Sequence, residues 1–448
     1  AAGTEATDAV NKGQLDAVSD SVSDASHYFK ANGLKDGSDD AQALGDNATA
    51  SGSGAFAGAQ GASAYGSGAT ATGQQATATG YGAVASGQNS AAYGAGAQAA
   101  GPGSVAVGGV AVDEDGNPLV TNSGVPVDTG ATTAAIGGTA VGASSQANGF
   151  ASSAIGVGAY ASGAQGTAVG AVANAIGDYS TAVGTQSAAT GLSSVAVGES
   201  AQATGEESAA VGGTAYGFIP TLASGVGSSA FGNGAWGSAD YTTSIGWSST
   251  ADHLNATAVG AVAGALDVGA VAVGYRSAAI GGLSTTVGTS SFVWGENASA
   301  YGANAFVWGD NTTGIGSATN IDGDESTTLG ANTMIEGAGS TAVGAGSSVF
   351  GDESTAVGHG AISSGTGASS FGSTSQASGD YATAVGQGSY AGAPGASAVG
   401  SGAVATGGQS IASGYGTVAS GQNSAAYGSG AEASANSATA IGGQALDA

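Results

Sequence analysis

Ser194-Val195-Ala196-Val197-Gly198-Glu199-Ser200, continued by Ala201-Gln202-Ala203-Thr204-Gly205-Glu206-Glu207, is one full unit of this chain, and each half carries a glycine in the same place. Stepping by seven from Gly45 to Gly108, from Gly142 to Gly212 and from Gly225 to Gly442, glycine recurs, and only Ala59, Ala239, His253, Asp267, Ala393 and Ala435 break the column. Before alternate glycines the residue is apolar, as at Val169, Val183, Val197, Phe231, Ile245 and Tyr301. Before the others it is mostly polar, as at Ser162, Thr190, Thr204, Asp252 and Glu336, so the true repeat is fourteen residues. A fixed period of this kind marks a solenoid, in which each copy packs only on its neighbours. Fourteen residues are too few for a helix in every copy. They fit two short strands, each closed by a glycine that tolerates tight turns and close backbone approach. The fold expected is all-β: a narrow, two-sided parallel β-coil with a core of small side chains.

Side chains alternate sides along a strand. In the half ending on polar-Gly, the residues two and four before Gly are largely Ala, as at Ala159 and Ala161, and are expected to face inward. In the half ending on apolar-Gly, the large apolar residue just before Gly is expected to point into the core. That phase turns the residue two before Gly outward. It is nearly always Ala: Ala154, Ala168, Ala182, Ala196, Ala210, Ala258, Ala272, Ala342, Ala356, Ala384 and Ala398. An outward column of Ala is odd for a solvated face, and a single fourteen-residue coil encloses little core of its own. The column is therefore expected to line a contact with neighbouring chains in a trimer.

Two slips interrupt the period, one between Gly108 and Gly142 and one between Gly212 and Gly225. They place insertions near residues 110–133, with Pro118 and Pro126, and near residues 213–224, with Pro220. Proline and polar turns suit loops that bulge from the coil. Trp236 and Trp247 lie close to the second insertion and are expected to pack it down.

The formal net charge is −27, and Lys12, Lys30, Lys35 and Arg276 are the only basic residues. Nucleic acid is excluded as a partner, because neutralising phosphates needs a basic face. Anionic membrane surfaces are disfavoured for the same reason. The chain has no Cys, hence no disulfide or thiolate chemistry. No apolar run approaches the roughly 20 residues of a membrane span, so direct membrane insertion is not expected.

The first 35 residues read differently. Leu15, Val18, Val22, Ala25 and Phe29 follow a 3-4-3-4 spacing, with Asp8 as a candidate N-cap and Gly33 as the stop. That is an amphipathic helix or a short coiled coil.

Asp8-Ala9-Val10-Asn11-Lys12-Gly13-Gln14-Leu15 resembles the neck motif of trimeric autotransporter adhesins, through Asp8, Ala9, Val10, Asn11, Gln14 and Leu15. Units such as Ser104-Val105-Ala106-Val107-Gly108 are similar to the head repeats of the YadA-like family. The resemblance implies a left-handed parallel β-roll, a homotrimer, and a neck joining the head to a coiled-coil stalk. On that reading residues 1–35 are neck and stalk, and residues 36–448 are head. It also implies an extracellular location on a Gram-negative cell, anchored in the outer membrane by a C-terminal region beyond this sequence. Partners would be host extracellular matrix or cell-surface proteins. The collagen binding of the family is tied to Asn-Ser-Val-Ala-Ile-Gly repeats, whereas Thr-Ala-Val-Gly is the commoner form here.

No catalytic constellation is expected, since His27, His253 and His359 are far apart and none has a nucleophile at meaningful spacing. No metal or cofactor is expected either, and acidic turns such as residues 320–324 and 113–117 do not complete a calcium loop. The candidate ligand-binding residues are aromatic. Phe292-Val293-Trp294-Gly295 repeats as Phe306-Val307-Trp308-Gly309. With Val293 and Val307 inward, Phe292, Trp294, Phe306 and Trp308 present an outward four-ring patch, flanked by Leu266, Ile280, Met334 and Phe350. Such a patch marks an interaction site unless an insertion covers it. The leading functional reading is a non-catalytic adhesive head; the alternative is a spacer that carries a distal tip away from the cell.

Overall fold

The computed structural model describes residues 5, 9–25, 32–34, 36–121 and 124–442. The chain forms two compact units, residues 1–172 and 173–448. Both are built from parallel coils of fourteen residues. In the first unit, for example, Ser153–Ile155 pairs with Thr167–Val169 so that Ser153 lies beside Thr167, Ala154 beside Ala168 and Ile155 beside Val169. In the second, Thr181–Val183 pairs with Val195–Val197 in the same register. The other half of each coil contributes a two-residue strand to a second sheet, as where Ala188–Ala189 pairs with Gln202–Ala203.

The two sets of glycines serve different ends. Those that follow the three-residue strands have a positive φ, +132° at Gly170 for instance, a conformation that L side chains rarely adopt. Those that follow the two-residue strands do not. There the constraint is contact: a Cβ on Gly191 would stand 1.9 Å from the carbonyl oxygen of Gly205 in the next coil. All six natural breaks in the glycine column, Ala59, Ala239, His253, Asp267, Ala393 and Ala435, fall in this second set. The turn after either glycine places a residue two positions on in the left-handed region, commonly Asn, Gln or Ser, as at Asn89 and Gln186.

The inward faces correct one expectation. In the polar-Gly half, Ala159 and Ala161 are buried as expected. In the other half the phase is the reverse of that anticipated. Ala154, Ala168, Ala182, Ala196, Ala210, Ala258, Ala272, Ala342, Ala356, Ala384 and Ala398 are fully buried within their own chain, so they do not form an outward contact surface. The apolar residue before Gly points outward instead, with Val141 37% and Ile155 42% exposed. The reason is size. The residues two and four before Gly face inward in both halves, and along most of the chain the space between the two sheets is filled by Ala, Ser and Thr. Several inward hydroxyls tie turns together, as where Ser187 Oγ donates to the carbonyl of Gly184 at 2.8 Å.

Both insertions fold back on the coil that follows them. In the first, Val112 pairs with Pro118 and Val120 with Pro126 in antiparallel bridges. Ser144 Oγ accepts the N–H of buried Ala111, and Gln146 donates to Asp128. In the second, Thr214–Ala215 and Ile219–Pro220 form an antiparallel pair. The Trp236 indole N–H donates to the Pro220 carbonyl, and the Tyr216 ring meets Trp247 edge-on at 4.7 Å, so these two tryptophans do pack the insertion down. Re-entry uses one device twice. Thr132 Oγ1 donates to Gly109 and Gly142 carbonyls, and Thr221 Oγ1 to those of Gly213 and Gly232.

The single helix among the described residues, Lys12–Ala25, begins after Asn11. Asn11 Oδ1 accepts the N–H of Gln14 at 3.0 Å, and Gln14 Oε1 accepts the N–H of Asn11 at 3.1 Å. This reciprocal pair is a capping box. Asp8, expected as the N-cap, lies outside the described residues, as do Phe29 and His27. Leu15, Val18 and Val22 are all exposed in the isolated chain, a stripe ready to pair with other helices.

Candidate functional site

The aromatic residues sit in the second unit, on the outer face of the sheet built from two-residue strands. Phe292–Val293 pairs in parallel with Phe306–Val307, which fixes Phe292 beside Phe306 and Val293 beside Val307. Val293 and Val307 are fully buried, so their neighbours in sequence must point out. The rings then stack along the coil axis. Trp294 and Trp308 lie 3.9 Å apart between centroids at 4°, and Phe292 and Phe306 lie 5.5 Å apart at 8°. Phe292 and Trp294 are 5.5 Å apart within one coil. Trp308 remains 48% exposed, and Leu266 and Phe350 on the same column are exposed too. Ring stacking beyond burial is worth roughly 0.5–1.5 kcal/mol per pair, so the four rings hold one another in a fixed array.

The core beneath this array is enlarged. Buried Val293, Val307, Ile321, Ile335 and Val349 occupy positions that elsewhere are nearly always Ala. Beside the rings runs a ridge of acidic turns. The Glu296 N–H donates to Asp310 Oδ1 at 2.7 Å, and the Asp310 N–H donates to Asp324 Oδ1 at 2.8 Å. Each carboxylate thus ties its own coil to the one before. Asp113, in the first insertion, is held by the backbone N–H of Asn117, which keeps its carboxyl below the ordinary value, with further help from the Asn117 side chain and the Asp115 N–H.

Among the described residues no three His, Cys, Asp or Glu come together as a metal site. His253 is paired with its neighbour Asp252 at 2.9 Å, and no nucleophile is joined to it. No helix among the described residues is long and apolar enough to cross a membrane.

Two family models match the chain. The coiled stalk of trimeric autotransporter adhesin matches residues 1–33. The YadA head domain repeat matches residues 85–111, 147–215, 223–277, 336–361, 363–389, 391–417 and 419–445, more than half of the chain. The unmatched stretches include residues 112–146 and 216–222, which hold most of the two insertions, and residues 278–335, which hold the four rings and most of the enlarged core. No curated protein sequence matches the chain. The fourteen-residue parallel coils, the capped helix with its open apolar stripe and these two matches together make the chain a member of the trimeric autotransporter adhesin family, with YadA-type head repeats behind a stalk segment.

Proposed function

We propose that this chain is the adhesive head of a bacterial surface fibre and attaches a Gram-negative cell to host matrix, host cells or another surface, without catalysis. The observation that carries the reading is the stacked array of Phe292, Trp294, Phe306 and Trp308, an apolar cluster on the outer face in which Trp308 is 48% exposed. Membership of a trimeric family implies three copies of the patch per fibre, and multivalency then multiplies a weak single contact. The homotrimer would be closed by the outward apolar column, which includes Val141, Ile155, Phe231, Ile245, Tyr301 and Phe371. Three such columns packed together remove from water the surface that the lone coil leaves exposed.

The test is solid-phase attachment of the trimeric chain to matrix proteins and cultured cells, with Trp294→Ala/Trp308→Ala compared with wild type. Attachment that falls at least tenfold, roughly 1.4 kcal/mol or more, supports the reading. Attachment unchanged by the double variant removes the patch as its cause. No attachment to any surface favours the alternative, a spacer. The coils whose outer column is mostly polar, as at Asn148, Ser162, Thr190 and Thr204, support that second reading.

A further inference from the structure

We propose that a notch beside Phe292 binds a carboxylated sugar ring. The inference rests on the adhesion reading and gives it a ligand class. On the outer face, the column three before Gly runs Thr250, Gly264, Ala278, Phe292 through successive coils. Gly264 and Ala278 project almost nothing, so a gap two coils wide opens between Thr250 and Phe292. Its volume is about 330 Å³. That is near the lower bound for small-molecule sites and suits one pyranose ring.

Three features give the gap its chemistry. First, Phe292, stacked against Phe306 at 8° and near Trp294 at 21°, borders the gap next to Ala278. Second, Leu266 borders the floor, where the nearest atom to a Cβ built on Gly264 would be Leu266 Cδ2 at 3.4 Å. Third, Arg276 stands at the rim. It is the one arginine of a chain with net charge −27, and among the described residues its guanidinium makes no ion pair or side-chain hydrogen bond. The other residues that line the gap are uncharged, so this guanidinium is its one fixed charge.

An aromatic face over a small apolar floor accepts the C–H face of a sugar. A guanidinium accepts a carboxylate through two parallel N–H donors. The Thr250 hydroxyl on the far wall is available to a ring hydroxyl. An acidic peptide would satisfy Arg276 but brings no flat apolar face to Phe292. A neutral sugar would stack but leave the guanidinium unpaired.

The experiment is calorimetric titration of the full chain with N-acetylneuraminate and with glucuronate, with tryptophan fluorescence as a second readout because Trp294 adjoins Phe292. Glucose, glutarate and a glutamate-rich peptide are the comparison ligands. Arg276→Gln and Ala278→Leu are the variants. Both positions face outward, and circular dichroism confirms that each variant folds. Saturable binding of at least one acidic sugar, weakened about tenfold or more by each variant, is the expected result. No binding of either acidic sugar, equal binding of glutarate or the peptide, or binding indifferent to both variants overturns the proposal. The two readings fail separately. Acidic-sugar binding lost in both variants, by a wild type that attaches to no surface, keeps the notch and removes adhesion. Attachment that depends on Trp294 and Trp308, with no sugar bound, keeps adhesion and removes the notch.

Discussion

Gly314 lies opposite Ile321 across the core, and a Cβ built on Gly314 would stand 3.1 Å from Ile321 Cδ1 and 3.3 Å from Val307 Cγ2. Gly314 occupies an inward position that is Ala, Ser or Thr in other coils, as at Ala300 and Thr328 on either side. At this coil, volume added in one sheet is removed from the other. Ile321→Ala is expected to cost about 2–5 kcal/mol, because the neighbours collapse only in part. Gly314→Val is expected to cost about 1–3 kcal/mol through overpacking. Pairing Gly314→Ala with Ile321→Val should cost less than the sum of the two single changes. Thermal unfolding of these variants, the two single changes included, checks this.

The two glycine classes make a second prediction. Gly184 has φ +129°, and a Cβ on it would also stand 2.5 Å from the Gly198 carbonyl oxygen, whereas Gly191 is constrained only by contact with the next coil. Gly184→Ala should destabilise by about 1–3 kcal/mol or more through backbone strain alone. Gly191→Ala should cost less, since natural Ala stands at the equivalent Ala59, Ala239, Ala393 and Ala435. Comparing the two midpoints of thermal unfolding tests the order.

The corrected facing of the coil separates assembly from folding. Ala182 is fully buried, while its neighbour Val183 points out and is only half-buried. Val183→Glu/Val197→Glu should lower the mass measured by light scattering and leave the β circular dichroism signal intact. Ala182→Glu should instead abolish the fold, because an unpaired carboxylate enters a core with no room for it. A Val183/Val197 variant that keeps the wild-type mass removes this column as the interface.

Acid sensitivity should appear where the coil begins. The Asp39 carboxyl is held below its ordinary value of 3.8, chiefly by the Ser53 hydroxyl, which donates at 2.7 Å, and then by the Leu34 N–H. With the folded value depressed, the stabilisation is fully present above the unfolded value and is lost as pH falls through the folded one. In a carbon-detected NMR titration, Ser53→Ala should raise the Asp39 midpoint. No change would show that the hydroxyl does not hold it.

At the helix, Asn11→Ala removes one half of the capping box and is expected to cost about 0.5–2 kcal/mol, read as lost helical signal in a peptide spanning residues 5–33. Gln14→Ala should cost less, because the Asn11 side chain still caps.

Most of the coil was legible in the primary structure because backbone geometry dictates it. A positive φ after each three-residue strand leaves no choice but glycine, so the period survives sequence drift. The outward placement of Phe292 and Trp308 was legible for a related reason: alternation around buried Val293 and Val307 is unambiguous. The facing of Val141 and Ile155 was misread because hydrophobicity was equated with interior. Hydrophobic residues also collect where chains meet, and a core two strands deep selects for smallness. The repeated Ala two before Gly in both halves was the available signal, since it sets one phase for both sheets. The notch at Gly264 and Ala278 was not legible. A gap is made by what two neighbouring coils lack, and it becomes visible only once fourteen-residue offsets are stacked in space.

Outside the two insertions, in-register pairing at an offset of fourteen bears on how such a chain changes over generations. Ala78–Ala99 and Ala412–Ala433 are nearly the same sequence, and each coil offers its neighbours nearly the same edge. Misaligned recombination between copies therefore adds or deletes whole coils and still leaves every ladder closed. Slippage by seven residues would instead set a two-residue strand against a three-residue one and place a contact-limited Ala where φ demands Gly. The fold thus tolerates changes of length in quanta of one coil, without invention of any new contact.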